Sequence, residues 1–198
     1  MFKDCLKKAL YWEGTYSNHP ADRGGETYKG IARNLHPTWA GWGIIDLVKS
    51  KKGGKRALRA GDISSILGDE AQENLESLVE EFYKKMFWKR VKGDKLAKID
   101  GNLACNVFDL AVNAGRRVAV KVLQRAINRY FRELGSKKRL VEDGILGKMT
   151  LGLIKQVDIA TLIKFFKLER SLFYIRIVKR RPSQIVFLSG WSQRALLV

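Results

Sequence analysis

The chain has 198 residues, 45% apolar and 10% aromatic, enough for one substantial core or two small ones and too apolar for a disordered segment. It carries 38 lysines and arginines against 20 acids, a net charge of +18 that points to a polyanionic partner or surface. Two cysteines, Cys5 and Cys105, are too few for a disulfide framework and lack metal-ligand spacing. They read as ordinary helix residues, with one bridge between them left open, and no metal or other cofactor is expected.

The opening MFKDCLKKALYW is interrupted by Lys3, Asp4, Lys7 and Lys8, so it has no apolar run suited to a signal peptide or a membrane span. The expectation is synthesis in the cytoplasm without a signal peptide. Phe2, Leu6, Ala9 and Leu10 recur at helical spacing, which predicts an amphipathic helix over residues 2–13 that stops at Gly14. Glu13 then falls in the last turn, where the negative end of the helix dipole disfavours ionisation, and Trp12 and Tyr16 add desolvation in the same direction. A carboxyl group kept protonated near neutral pH is what a general acid requires.

Residues 15–32 mix Pro20, Gly24, Gly25 and Gly30 with β-prone residues, which predicts a small irregular hairpin turning at Arg23-Gly24-Gly25. Residues 32–35 form at most a short helix before Pro37. Residues 38–61 show little periodicity, and the basic stretch KSKKGGKR reads as an exposed loop. From Asp69 the pattern is strongly helical through Leu75, Val79, Phe82, Tyr83 and Phe87, with Asp69 as N-cap, Gln72 completing a capping-box-like pair and Gly93 at the end.

A further helix runs from Leu103 to Ala114 and ends at Gly115, with no basic residue along it. Its polar residues Asn102, Asn106, Asp109 and Asn113 fall in steps of four, three and four, a single seam that reads either as the lining for a polar ligand or as a buried polar network. On the next predicted helix, residues 116–131, Arg117, Lys121, Arg125 and Arg129 form a basic ridge. Asp143-Gly144 and Gly147 mark a turn, and Asp158 caps a long helix that Arg180-Arg181-Pro182 ends. Residues 94–198 hold 21 basic and 8 acidic residues, against 17 and 12 in residues 1–93, so the second half is expected to meet the polyanion first. The architecture read from these patterns is mostly α, a helical bundle with one small β-hairpin after the first helix.

Cleaving a glycosidic bond needs a carboxylic acid to protonate the leaving oxygen and usually a second group to activate water or stabilise the oxocarbenium-like centre. Glu13 and Asp22, divided by a helix end and half a hairpin, have residue types suited to these tasks; spacing alone also allows a surface glutamate and a turn aspartate. The motifs around them are more specific. Glu13-Gly14-Thr15-Tyr16-Ser17-Asn18, then Asp22-Arg23-Gly24-Gly25-Glu26-Thr27, then Lys29-Gly30-Ile31 closely resemble the EGGY, DxGGxT and YGI motifs of glycoside hydrolase family 108, the muramidases of phage endolysins and bacterial secretion-activator proteins. Phe82-Tyr83 through Trp88 resembles the family's tyrosine and tryptophan helix, and Phe108-Asp109-Leu110-Ala111-Val112-Asn113-Ala114-Gly115 its FDxxVNxG stretch. Leu123-Gln124, Asp143-Gly144 with Gly147 and Thr150, Arg170, and Gly190-Trp191 with Arg194 resemble the companion region described as a predicted peptidoglycan-binding domain. Thr15 and Lys29 depart from the usual glycine and tyrosine.

The resemblance implies a lysozyme-like α+β fold, with residues 1–93 as the catalytic region and residues 94–198 as a helical peptidoglycan-binding-like region, both packed as one globular unit. It implies cleavage of the β-1,4 bond between N-acetylmuramic acid and N-acetylglucosamine, with Glu13 as general acid. The order of acids is also similar to that of phage-type lysozymes, which makes Asp22 and Thr27 the candidates for handling the attacking water and leaves Glu26 as a competing second carboxylate. Trp12, Tyr16, Glu26, Asn106, Asp109 and Asn113 are the candidate sugar contacts, since ring faces stack on pyranoses and amides bond hydroxyl and acetamido groups. The ridge Arg117, Lys121, Arg125, Arg129 is the candidate for the anionic envelope surface.

The expected partner is peptidoglycan, reached in the periplasm or cell wall through a pore formed by a holin or similar protein, with the enzyme acting as a monomer. Specific nucleic-acid binding is the rival use of the basic charge, but no nucleic-acid motif accompanies the ridge. The same residues would also suit a lytic transglycosylase acting on the same bond, or a wall binder without catalysis.

Overall fold

The computed structural model describes residues 1–18, 24–53, 58–59 and 61–197. The chain divides by contact into two units, Leu10–Lys84 and Met1–Ala9 with Lys85–Val198. Helices dominate both, as the three-and-four spacing of apolar residues requires, and one small sheet follows the first helix.

Helix α1 (Phe2–Leu10) is shorter than the predicted 2–13. Beyond Leu10 the chain makes a tight turn closed by Glu13 N–H to Leu10 C=O at 3.1 Å, and Gly14 (φ +69°) turns it into the sheet. Glu13 therefore sits just past the helix, in a turn, rather than in its last turn.

In unit Leu10–Lys84, strands β1 (Tyr16–Ser17), β2 (Thr27–Tyr28) and β3 (Ile31–Ala32) form an antiparallel sheet in that order, with Tyr16 opposite Tyr28 and Tyr28 opposite Ile31. The single predicted hairpin is thus a three-stranded sheet with a tight turn at Lys29-Gly30, between β2 and β3. The predicted turn at Arg23-Gly24-Gly25 falls in the β1–β2 connection, of which residues 19–23 lie outside the described residues. Lys29 and Gly30 both have positive φ, +45° and +78°, as the two-residue turns that match strand twist require. Glycine adopts this freely, but lysine is strained there. Three contacts hold Lys29 in place: its N–H donates to Thr15 C=O at 2.8 Å, its carbonyl accepts the Tyr83 hydroxyl at 2.6 Å, and its ammonium meets Glu76 at 2.5 Å.

The helix over Gly41–Lys51 (α2) carries little sequence signal, because Gly41 and Gly43 lower its intrinsic propensity. Packing supplies what propensity lacks. Trp42, Ile45 and Val48 are buried, and a Cβ on Gly41 would lie 2.3 Å from the Trp39 ring, so only glycine admits that indole. Residues 54–57 of the basic loop lie outside the described residues.

Helices α3 (Asp62–Leu67) and α4 (Asp69–Tyr83) follow. Gly68, not Asp69, occupies the N-cap of α4, at φ +88°. Asp69 is the first helical residue, where its carboxylate still faces the positive end of the dipole. Leu75, Val79 and Tyr83 form the buried face, against a sheet whose Tyr28 and Ile31 are also buried.

In unit Met1–Ala9 with Lys85–Val198, the helical run past Tyr83 widens into a π-turn over Lys84–Trp88 and tightens into a 3-10 turn over Lys89–Val91. Gly93 begins helix α5 (Gly93–Ala97), and a Cβ there would lie 2.3 Å from the Trp88 ring. Helix α6 (Gly101–Ala114) begins where Asp100 accepts the Leu103 N–H at 2.8 Å and ends at Gly115 (φ +89°). Helices α7 (Arg116–Glu133), α8 (Lys148–Ile154), α9 (Ile159–Arg180) and α10 (Leu188–Leu197) complete the unit. Asp158 caps α9 as its position predicts, accepting the Thr161 N–H at 2.8 Å.

Phe108 packs edge-on to Phe2 and Trp88 in the core of this unit, and Leu123, Ile127, Leu162 and Phe166 extend it between α7 and α9. Cys5 of α1 and Cys105 of α6 are disulfide-bonded, their Cα atoms 4.8 Å apart. The reading of both as ordinary helix residues is corrected: a separation of 100 residues leaves no local signal that two buried cysteine faces meet.

Candidate active site

In the first unit, Glu13 and Tyr83 meet at Gly30. A Cβ there would lie 2.8 Å from Glu13 Oε2 and 2.6 Å from Tyr83 Oη. The missing side chain therefore leaves the space that the Glu13 carboxylate and the Tyr83 phenol occupy at the β2–β3 turn. Tyr83 arrives from the end of α4, anchored on the Lys29 carbonyl. Glu13 arrives from the turn after α1. A half-buried carboxyl set against a rigid hairpin turn suits a group that must deliver a proton to a bound ligand.

Glu26 occupies a different environment. It is 7% exposed, accepts hydrogen bonds from Lys49 Nζ and the Tyr16 hydroxyl, each at 2.8 Å, and pairs with Arg33 Nε at 3.2 Å. With three partners around it, Glu26 is the anchor of a buried ion cluster, which weighs against the expectation that it serves as second catalytic carboxylate or sugar contact. Burial first, and then the bond to Glu26, push the Tyr16 phenol well above its usual range. Thr27, on β2, donates to Gly25 C=O at 3.2 Å. Asp22 lies outside the described residues. Trp12 is half-buried, its ring centre 5.3 Å from that of Tyr11 in an edge-on pair, and Tyr11 is 81% exposed, so neither ring is core.

A hollow of about 300 Å³ lies beside the sheet, lined by Thr15, Tyr16, Tyr28, Lys29, Gln72 and Glu76 among others. Glu13 does not line it, although Thr15 and Tyr16 follow Glu13 by two and three residues. Burial and then the Glu76 charge push the Tyr28 phenol up to about 12. The Lys29–Glu76 pair and the Glu26 cluster were missed in the sequence because their partners are 47 and 23 residues apart.

The middle of the seam on α6 faces inward, while Asn102 is exposed and Asn113 half-buried. Asp109 is 0% exposed and bonded to Arg170 Nη2 at 2.7 Å and Arg194 Nε at 3.0 Å, while Asn106 is 1% exposed. Asn113 accepts the Tyr174 hydroxyl at 2.8 Å. The expectation that Asn106 and Asp109 touch sugar is therefore corrected: the seam is the buried polar network, its charge matched by arginines 61 and 85 residues away.

The basic ridge on α7 divides. Arg125 and Arg129 line a large cavity, Lys121 lines a smaller hollow beside Arg125, and Arg117 Nε points to Asp143 C=O at 3.4 Å.

Residues 6–115 match the family model described as Glycosyl hydrolase 108. The chain belongs to glycoside hydrolase family 108. A second model, described as Predicted Peptidoglycan domain, matches residues 118–196 of this family-108 chain. Together they make the protein a peptidoglycan hydrolase with peptidoglycan as its partner. Among solved structures it is similar to SagA from Brucella abortus, with 22% identity and a TM-score of 0.59 over 98% of this chain and 88% of that one, a likeness of fold alone. No curated protein sequence matches it significantly. The mostly α, lysozyme-like fold with a small sheet after the first helix is the fold expected from the sequence.

Proposed function

We propose that this family-108 protein is an N-acetylmuramidase that hydrolyses the β-1,4 bond between N-acetylmuramic acid and N-acetylglucosamine, with Glu13 as general acid. The observation that carries this is the placement of the Glu13 carboxylate in the space Gly30 leaves, beside a turn fixed by Tyr83. A general acid must be held within hydrogen-bond reach of the leaving oxygen, and a carboxyl at a rigid hairpin meets that demand better than one on a mobile side chain.

In this reading Asp22 and Thr27 handle the attacking water, and Tyr16 and Trp12 supply ring faces for the sugars. The ion cluster around Glu26 holds the Tyr16 phenol on β1. The Cys5–Cys105 bond fits work in an oxidising compartment outside the cytoplasm, where disulfides persist. Access to the wall would come through a membrane pore made by a partner such as a holin, and the enzyme would act as a monomer, as a phage endolysin does during host lysis.

Clearing of purified cell walls by the Glu13→Gln variant tests the assignment. The variant should melt near the wild-type temperature and leave the walls intact. Full clearing by a folded Glu13→Gln chain would remove Glu13 from the chemistry.

A further inference from the structure

A cavity of about 630 Å³ in the second unit is lined by seven basic and two acidic side chains. Arg125, Arg129 and Arg132 come from α7, the basic run 137–139 from the segment after it, and Arg176 from α9. Like charges gathered in one concavity repel, and chains normally let them separate into solvent. Here the fold does the opposite. Asn128 on α7 donates to Leu140 C=O at 3.0 Å and accepts the Leu140 N–H at 2.7 Å, which pins the basic run back over the helix.

The two acids organise the arginines without neutralising the cavity. Glu142 takes Arg125 Nε at 2.7 Å, leaving both Nη groups of that guanidinium without a hydrogen bond among the described residues. Glu169 takes Arg129 through Nε and Nη2 at 2.8 and 2.6 Å and lies 3.5 Å from Arg176 Nη2. Lys137 and Arg139 have no acidic partner among the described residues. Arginine forks matched to carboxylates already exist at this place, with donor edges to spare.

All of these residues fall within the stretch matched by the peptidoglycan-domain model. The glycan strands of peptidoglycan are uncharged, and its peptide stems carry the carboxylates, which are ionised at neutral pH. We infer that this cavity binds the stem peptide of peptidoglycan through its carboxylates, so that the second unit reads the peptide while the first cuts the sugar. The volume suits a ligand of a few residues. The inference rests on peptidoglycan being the substrate, but it concerns binding and is separable from bond cleavage.

The test is titration calorimetry of the full chain with the N-acetylated stem tripeptide L-alanyl-γ-D-glutamyl-meso-diaminopimelate, across a salt series. Parallel arms use the same peptide with its carboxylates amidated, the uncharged disaccharide N,N′-diacetylchitobiose, inorganic phosphate and duplex DNA. The free-acid peptide should bind, weakening with salt, and the amidated peptide and the disaccharide should not. The double variant Lys137→Gln/Arg139→Gln changes only exposed side chains without acidic partners, and should weaken peptide binding by about tenfold while melting as wild type does. Equal binding of free-acid and amidated peptide, or unchanged affinity in the double variant, would overturn the inference. So would binding of phosphate or DNA with none of the peptide, which would make the cavity a phosphate site. Failure of the muramidase assignment would appear instead in the sugar ends of released fragments, which this titration does not read.

Discussion

The Glu13 carboxylate occupies the space that a side chain at Gly30 would fill: a Cβ at position 30 would lie 2.8 Å from Glu13 Oε2. Gly30→Ala should therefore displace the proposed acid as well as strain a turn residue at φ +78°. We expect a stability loss of about 1–3 kcal/mol and a larger loss of wall-clearing activity. Gly53→Ala is the control, because Gly53 has nearly the same φ, +77°, with nothing within 4 Å of a Cβ. It should lose about 1 kcal/mol and keep its activity. Equal activity in both variants would separate Gly30 from the chemistry.

Asp109 is the buried counter-charge for Arg170 and Arg194. Asp109→Ala leaves two buried guanidiniums without a carboxylate, and should destabilise by about 3–5 kcal/mol in denaturant unfolding. Asn113→Ala, which removes only a hydrogen bond from Tyr174, should lose about 1 kcal/mol. A soluble, wild-type-stable Asp109→Ala chain would contradict the network and make the residue a candidate ligand contact again.

The Cys5–Cys105 bond closes a loop of 100 residues between α1 and α6. In the chain-entropy account such a loop contributes on the order of 4–5 kcal/mol. Reduction, or Cys5→Ala with Cys105→Ala, should lower the melting temperature markedly. An unchanged melt under reducing conditions would mean that the bond contributes nothing to stability in solution.

The acid and alkaline limits of stability have separate sources. Hydrogen bonds from Thr161 to Asp158, from Gln124 to Asp143 and from Lys52 to Asp62 hold these carboxyls below their usual range. Each contributes stability that is present above the ordinary carboxylate pKa and is lost as pH falls through the depressed value. Tyr16 and Tyr28 act with the opposite sign. Their phenols are raised, so the stability they contribute is full below the ordinary tyrosine pKa and lost as pH rises beyond it, towards about 12 for Tyr28. Thermal melts against pH should fall at both ends, and Tyr28→Phe should flatten the alkaline limb.

The helical part of the fold was legible because its signals are local. Asp158, Gly115 and the apolar faces of α4, α6 and α9 act over three or four residues, which is the range of capping and amphipathicity. The motif around Glu13 was legible as a resemblance. What escaped was set by partners distant in sequence: the α2 helix made by packing around Trp42, the Lys29-Gly30 turn held by Tyr83 and Glu76, the Cys5–Cys105 pairing, and the arginines on Asp109. The α6 seam illustrates the limit best, since an aligned row of polar residues has the same pattern whether it faces a ligand or a buried guanidinium.

The most direct test of the whole account is mass spectrometry of the muropeptides that the wild-type chain releases from purified peptidoglycan. Hydrolysis at the proposed bond predicts fragments ending in reducing N-acetylmuramic acid, produced by the wild type and absent with Glu13→Gln. Fragments ending in a 1,6-anhydro sugar, or the same reducing ends from the Glu13→Gln chain, would contradict it.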